Sequence, residues 1–253
     1  MTTPGWRVAT VTAVLLAVSG AKALAGEVAV AVAANFADAA RHIASRFEET
    51  TGHTLTMSVG STGMLFSQIE NGAPFDVLIA ADSERPARAE REGLAVPGTR
   101  FTYATGRLVL WSVTPGLFED GDMYVRTLSF SRVAIANPGT APYGAAARQV
   151  LQHLGVWEQA RPRLVQGENV AQTFQFAATG NADAGFVALS QVMSWPGEPG
   201  TVWEIPPDYY RPIIQQAVLL ENGADNPAAR AFLDFLTSAA AREDIAGYGY
   251  GVE

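Results

Sequence analysis

The strongest constraint on the fold is the run Val28-Ala29-Val30-Ala31-Val32-Ala33-Ala34, which is wholly apolar and ends at Asn35. A strand wet on one face alternates apolar with polar residues, so an unbroken apolar run of this length reads as a strand covered on both faces. Asn35 then opens an amphipathic stretch with Ala39, Ala40, Ile43 and Phe47 on one side, halted at Thr51-Gly52, and Asn35 with Asp38 has the form of a helix-capping pair. The unit recurs as a strand at 55–58, a helix at 63–70 stopped by Asn71-Gly72, and a buried strand at 76–81. Such alternation predicts an α/β fold with parallel strands joined by right-handed crossovers.

Around 103–107 the chain changes character and passes through Gly106 into the apolar run 108–113, read as a central strand. A second set of units follows: a strand at 133–136, a break at Asn137-Pro138-Gly139, helices at 143–154 and 170–179, and a strand at 184–189. Pro206, Pro207 and Pro212 form a second breaker region before a strand at 213–220 and a final helix at 227–240. Two breaker regions around the middle third predict two α/β lobes joined by two crossings. The expected bounds are 26–105 plus 212–253 for lobe 1 and 106–211 for lobe 2.

With 253 residues, 48% of them hydrophobic, the chain is large enough for a substantial core and is not composed like a disordered one. Its first residues read differently. Arg7 precedes an apolar run at 8–18 too short to span a membrane, and Ala23-Leu24-Ala25 fits a cleavage site, so residues 1–25 are expected to be a secretory signal. The alternative, an apolar first helix of the fold, sits poorly with the Gly26-Glu27 break that follows. Without Arg7 and Lys22, the only lysine, 15 arginines face 25 acids, a formal charge of −10. That surface repels nucleic acid and anionic lipid. The absence of cysteine excludes disulfides and thiolate chemistry. After residue 25 no run of 18 apolar residues remains, so the mature protein is expected to be soluble.

The stretch "SVGSTGMLFSQI", residues 58–69, reads as strand, hydroxyl-rich turn and helix start. It lacks both the spacing and the lysine of a nucleotide-binding loop. Two readings stay open: a helix start whose unpaired N–H groups suit an anion, or simple capping by Ser61 or Thr62. Ligands of open α/β sheets gather beyond the carboxyl ends of strands. That rule nominates Ala34-Asn35-Phe36, Ser61-Thr62-Gly63, Ala141-Pro142-Tyr143-Gly144 and Asn169-Val170-Ala171, two spots in each expected lobe. Each helix start behaves like roughly half a positive charge. Several of them meeting in one cleft would balance a dianion without a basic side chain, and with no carboxylate among the four spots they would disfavour an anion carrying its own proton.

On these motifs the chain resembles the periplasmic molybdate-binding proteins of the ATP-driven molybdate uptake system, and closely the branch with "TNF", "GSSG" and "APYG" signatures. Here those read Ala34-Asn35-Phe36, "GSTG" at 60–63 and "APYG" at 141–144, with further matches in "NGAPFDVLIAAD" at 71–82, "RFTYATGRLVLWS" at 100–112, "DAGFVALSQ" at 183–191 and "QQAVLL" at 215–220. The resemblance implies a two-lobed, type II periplasmic-binding-protein fold of mixed sheets flanked by helices, with the ligand cleft between lobes. It implies oxyanion contacts from Asn35, from Thr62 beside Ser61, from Tyr143 and from the backbone N–H of Val170, with no residue bonded directly to the metal. Molybdate, and tungstate of nearly the same size and charge, are the implied ligands, and the membrane permease of the transporter is the implied partner. A monomer without a cofactor is expected. Ala34 departs from the branch by removing a hydroxyl, Thr62 replaces a serine, and Phe186 stands where the other branch has a tyrosine, which leaves Tyr143 as the phenolic donor.

Other residues read as structural. Asp82 and Asp183 adjoin strand ends but are expected to be solvated or capping; His42, His53 and His153 are too scattered to ligate a metal. Trp157, Trp195 and Trp203 are expected to pack, and Arg100, Arg107 and Arg211 to form hinge salt bridges rather than ligand contacts. Sulfate or phosphate binding is the competing transport reading. A phosphatase-type enzyme is the competing catalytic one, and it lacks a visible nucleophile with its base or a metal-binding set of carboxylates.

Overall fold

A computed structural model describes residues 25–252; the signal expected at 1–25 lies, but for Ala25, outside the described residues. The strands are β1 Glu27–Ala33, β2 Thr54–Gly60, β3 Val77–Ala80, β4 Phe101–Gly106, β5 Leu108–Ser112, β6 Val133–Ala136, β7 Leu164–Gly167, β8 Ala184–Ala188, β9 Thr201–Glu204 and β10 Ile213–Leu219. The helices are α1 Ala37–Thr51, α2 Thr62–Glu70, α3 Glu84–Arg91, α4 Gly121–Arg126, α5 Pro142–His153, α6 Trp157–Ala160, α7 Val170–Ala178, α8 Leu189–Met193, α9 Pro227–Leu236 and α10 Ala239–Gly247. They build two lobes on one plan. The first holds a five-stranded sheet in the order β2-β1-β3-β10-β4, the second one in the order β7-β6-β8-β5-β9. In each, three parallel strands meet an antiparallel pair.

These are the mixed sheets that the resemblance implied, and the antiparallel strands come from the pair of crossings. β4 leaves the first sheet and β5 enters the second across Gly106-Arg107, while β9 hands the chain back to β10 through the proline-rich segment. A strand that arrives from the other lobe has no helix before it to reverse its direction, so it enters antiparallel.

The apolar run from Val28 lies in β1, and its two faces differ in size. Val28, Val30 and Val32 pack with Phe36, Ile43, Phe47 and Phe232, under α1 and α9. Ala31 on the opposite face sits with Leu65, Phe66 and Ile69 of α2. Side-chain alternation thus gives bulk to one helix layer and close approach to the other. In the second lobe Trp111 stacks on Phe174 at 4.5 Å, and Trp195 meets both rings edge-on at 5.6 Å.

Several expectations are corrected. The final helix is two, because Ser238 turns extended and its hydroxyl accepts the N–H of Ala241, starting α10 afresh. Residues 101–106 form an edge strand instead of a plain crossing. β7 and β9, four residues each, lie at sheet edges and carry too little apolar pattern to announce themselves. Asn35 and Asp38 do not cap α1: its N-cap is Phe36, with no side-chain cap bond. Asp38 instead pairs with Arg41. No helix among the described residues is long and apolar enough to cross a membrane.

Candidate functional site

The carboxyl ends of β1, β2, β6 and β7 face one another across the lobes, and the four spots nominated by the sequence meet there. They enclose a cavity lined by Ala34, Asn35, Ser61, Thr62, Tyr143 and Val170, with Ala33, Gly60, Ala81, Ala141, Pro142 and Asn169 filling the gaps. The cavity is small, ≈ 10 Å³, near the lower limit for holding one water. Its walls stand almost in contact. Lysine, arginine and carboxylate side chains are all missing from this lining. The positive ends of α2, α5 and α7 and of the 3₁₀ turn Ala34–Phe36 point at it instead.

Ser61 is the N-cap of α2 in position but not in chemistry. Its side chain makes no cap bond, and its hydroxyl, in a residue 3% exposed, is a buried group without a hydrogen-bond partner. Orphaning a buried hydroxyl costs on the order of 1–3 kcal/mol, so such a group marks a place where a partner belongs. Thr62, 1% exposed, accepts the N–H of Ala81 at 3.0 Å and keeps its own proton to donate. Capping by either residue is therefore overturned. The N–H of Gly63 in the first turn is taken by the other lobe, at 2.8 Å from the carbonyl of Thr140.

Asn35 is buried, and both hydrogens of its amide are spent within its own lobe, on Gln215 Oε1 at 2.8 Å and on the Tyr250 hydroxyl at 3.1 Å. Across the cavity, Asn169 caps α7 by accepting from Ala171 and Gln172 at 3.0 Å each, which leaves the N–H of Val170 ahead of the capped pair. Tyr143 follows Pro142, whose ring suits the first position of α5. Its hydroxyl accepts from Gln215 Nε2 at 3.2 Å. Burial pushes the Tyr103 and Tyr143 phenols well above the ordinary tyrosine range, and Tyr250 upward too. All three stay neutral at ordinary pH.

Sequence reasoning missed the hub behind this wall. Gln215, fully buried in β10, joins Asn35, Tyr103 and Tyr143, and Tyr250 with Ser190 holds the Asn35 carbonyl at 2.7 and 3.0 Å. A signal existed: Gln215 and Gln216 interrupt an otherwise apolar strand, and a buried amide must find partners. Phe186 is fully buried in β8 and packs in the second core.

The residues set aside as structural fall away from the cavity. Asp82 accepts the N–H of Arg85 and pairs with its guanidinium; Asp183 accepts from Ser131 and Arg132. Arg107 pairs with Glu204, joining the crossing before β5 to the end of β9 where the chain turns back, as the hinge expectation has it, while Arg100 pairs with Glu90 away from the crossings. The N–H of Arg211 donates to Gln149. His53 accepts the N–H of Gly26, His153 stacks on Tyr209 at 4.0 Å, and His42 lies 3.5 Å from Asp244. Trp157 lies under the Arg148 guanidinium and Trp203 packs edge-on to Tyr209.

The family model for bacterial extracellular solute-binding proteins matches residues 28–251. The chain is 52% identical over 231 residues to the molybdate-binding protein ModA of Rhodobacter capsulatus, covering 91% of this chain and 90% of that one. It is also 52% identical to ModA of Azotobacter vinelandii over 233 residues, 91% and 92% of the two chains. The solved periplasmic molybdate-binding protein of Azotobacter vinelandii superposes with a TM-score of 0.86 at 39% identity, over 89% of this chain and 99% of that one.

Proposed function

We infer the function from this premise: the chain belongs to the bacterial extracellular solute-binding proteins, and it binds molybdate in the periplasm for delivery to an ATP-driven membrane transporter. The observation that carries the chemistry is a cavity closed from both lobes, lined by helix starts and hydroxyls, with no charged side chain. A doubly charged tetrahedral oxyanion suits such a lining. Partial charges of backbone N–H groups neutralise it, and neutral hydroxyls donate to its oxygens.

In this reading Ser61 and Thr62 donate through their hydroxyls, Tyr143 through its phenol, and Asn35 and Val170 through backbone N–H groups at the starts of their turns. The ion is held by hydrogen bonds alone, with no protein atom bonded to its metal. Residues 1–25 direct export, and 26–105 with 212–253 close against 106–211 around the ion. The protein acts as a monomer, performs no chemistry and hands the ion to the permease.

Tungstate, with the same charge and nearly the same size, binds alike. Sulfate is smaller and leaves donors stretched, while phosphate near neutrality carries protons for which this lining has no carboxylate acceptor. A thermal-shift titration, followed by calorimetry, tests the reading: molybdate and tungstate raise the melting point far more than sulfate or phosphate at equal concentration. Equal competition by sulfate would remove the molybdate assignment, and sustained hydrolysis of a chromogenic phosphate ester that is lost in Ser61→Ala would replace it with an enzyme.

A further inference from the structure

Among the described residues, Gln215 is the one side chain that bonds to two predicted ligand residues from opposite lobes, Asn35 of the first and Tyr143 of the second. Its Oε1 accepts two hydrogen bonds, from Asn35 Nδ2 and from the Tyr103 hydroxyl, both at 2.8 Å. With its oxygen so occupied, its Nε2 faces the Tyr143 oxygen and donates to it. The bond passes directly over the chain crossing. A Cβ built on Gly106 would stand 2.3 Å from the Tyr143 hydroxyl and 2.5 Å from Gln215 Nε2, so only glycine leaves room.

A hydroxyl has one proton to give. A phenol whose oxygen accepts from Gln215 keeps that proton free for another acceptor, and Tyr143 lines the cavity. We propose that Gln215 is a positioning and specificity-determining residue: it fixes Tyr143 as a donor toward the bound oxyanion and, being carried on β10 while Tyr143 is carried on α5, makes that polarity a product of lobe closure. The inference rests on the oxyanion reading above. It adds that Tyr143 disfavours a protonated anion oxygen at its own contact, because the Gln215 amide already occupies the acceptor side of the phenol.

Gln215→Glu tests this by inverting the polarity at nearly constant shape. A carboxylate there takes the proton of Tyr143; a protonated carboxyl donates as the amide does. The titratable groups facing position 215 are the phenols Tyr103, Tyr143 and Tyr250, with Asp82, Asp38 and Tyr210 acting on them from further out. The phenols stay neutral between about pH 5.5 and about pH 8.5, so the new carboxyl supplies the titration. Calorimetry with sodium molybdate is expected to show native affinity nearly flat over that window. Gln215→Glu is expected to bind about tenfold more weakly at the alkaline end and to recover toward the acid end, and that recovery is expected to shrink to under about twofold in Gln215→Glu/Tyr143→Phe.

A pH dependence that persists unchanged without the phenol is plain charge repulsion and overturns the proposal, as does a flat profile in Gln215→Glu. If that variant does not fold, Gln215→Met decides. Its loss of molybdate affinity relative to phosphate is expected in the native background and absent with Phe at position 143; an equal loss for both anions overturns the proposal. Failure of the native chain to bind molybdate would instead overturn the reading on which it stands.

Discussion

The backbone N–H of Gly63 donates to the carbonyl of Thr140 at 2.8 Å, joining the first turn of a helix in one lobe to the loop that precedes a cavity-lining helix in the other. A Cβ at position 63 would stand 2.9 Å from the Thr140 Cα and carbonyl oxygen and 3.0 Å from the Arg85 guanidinium. Gly63→Ala is therefore expected to oppose closure while sparing each lobe. Overpacking of this kind costs about 1–3 kcal/mol, so molybdate affinity should fall by about tenfold or more while ligand-free melting stays within about 2 °C. Paired calorimetry and thermal melts check both halves.

Ser61 and Thr62 separate binding from folding. Ser61→Ala removes a hydroxyl with no partner in the protein, so ligand-free stability should hold or rise slightly, while affinity drops by about 1–3 kcal/mol. Thr62→Val also strands the N–H of Ala81, so affinity and stability both fall. Denaturant melts with and without molybdate distinguish the two patterns, and equal behaviour of the two variants would contradict this assignment.

Three buried phenols make the fold sensitive to alkali. Burial raises Tyr103, Tyr143 and Tyr250 above the unfolded tyrosine value. The folded state thus holds protons that the unfolded chain releases, so their contribution to stability is complete below about pH 10 and is lost as pH rises through the folded values. Urea midpoints measured from about pH 8 to about pH 11.5 should stay level and then fall, and the fall should be shallower in Tyr103→Phe.

Asp76 provides a control for stability without the site. It stands before β3, at the end of the sheet opposite the cavity, and its carboxylate accepts from the Ala29 N–H and from the amides of Asn222 and Asn226 at 2.8, 3.0 and 3.2 Å. Asp76→Ala should cost about 1.5–3 kcal/mol in a denaturant melt and leave molybdate affinity within about twofold. A large loss of affinity at full stability would show that the two ends of the sheet are coupled.

The sequence made the site's outline legible because each helix start follows a strand end, and that local grammar needs only neighbours in the chain. Val28 to Ala34 declared a doubly covered strand, and Pro142 and Asn169 declared helix starts. What stayed hidden depended on partners far away. Asn35 looks like a cap from its neighbours, and only the fold reveals Gln215, 180 residues on, as its acceptor. Ser61 likewise looks like a cap until Thr140 is seen taking the N–H of Gly63. The strand at 101–106 escaped notice because half of its residues face away from the core, and the break at Ser238 because an alanine-rich stretch reads as continuous helix.

Walls that nearly touch turn any larger guest into a spacer, so the guest's diameter is translated into an angle between two jaws and magnified at their outer rims. A docking partner that senses only those rims can thereby distinguish a loaded carrier from an unloaded one, and one cargo from another, without ever touching the ion.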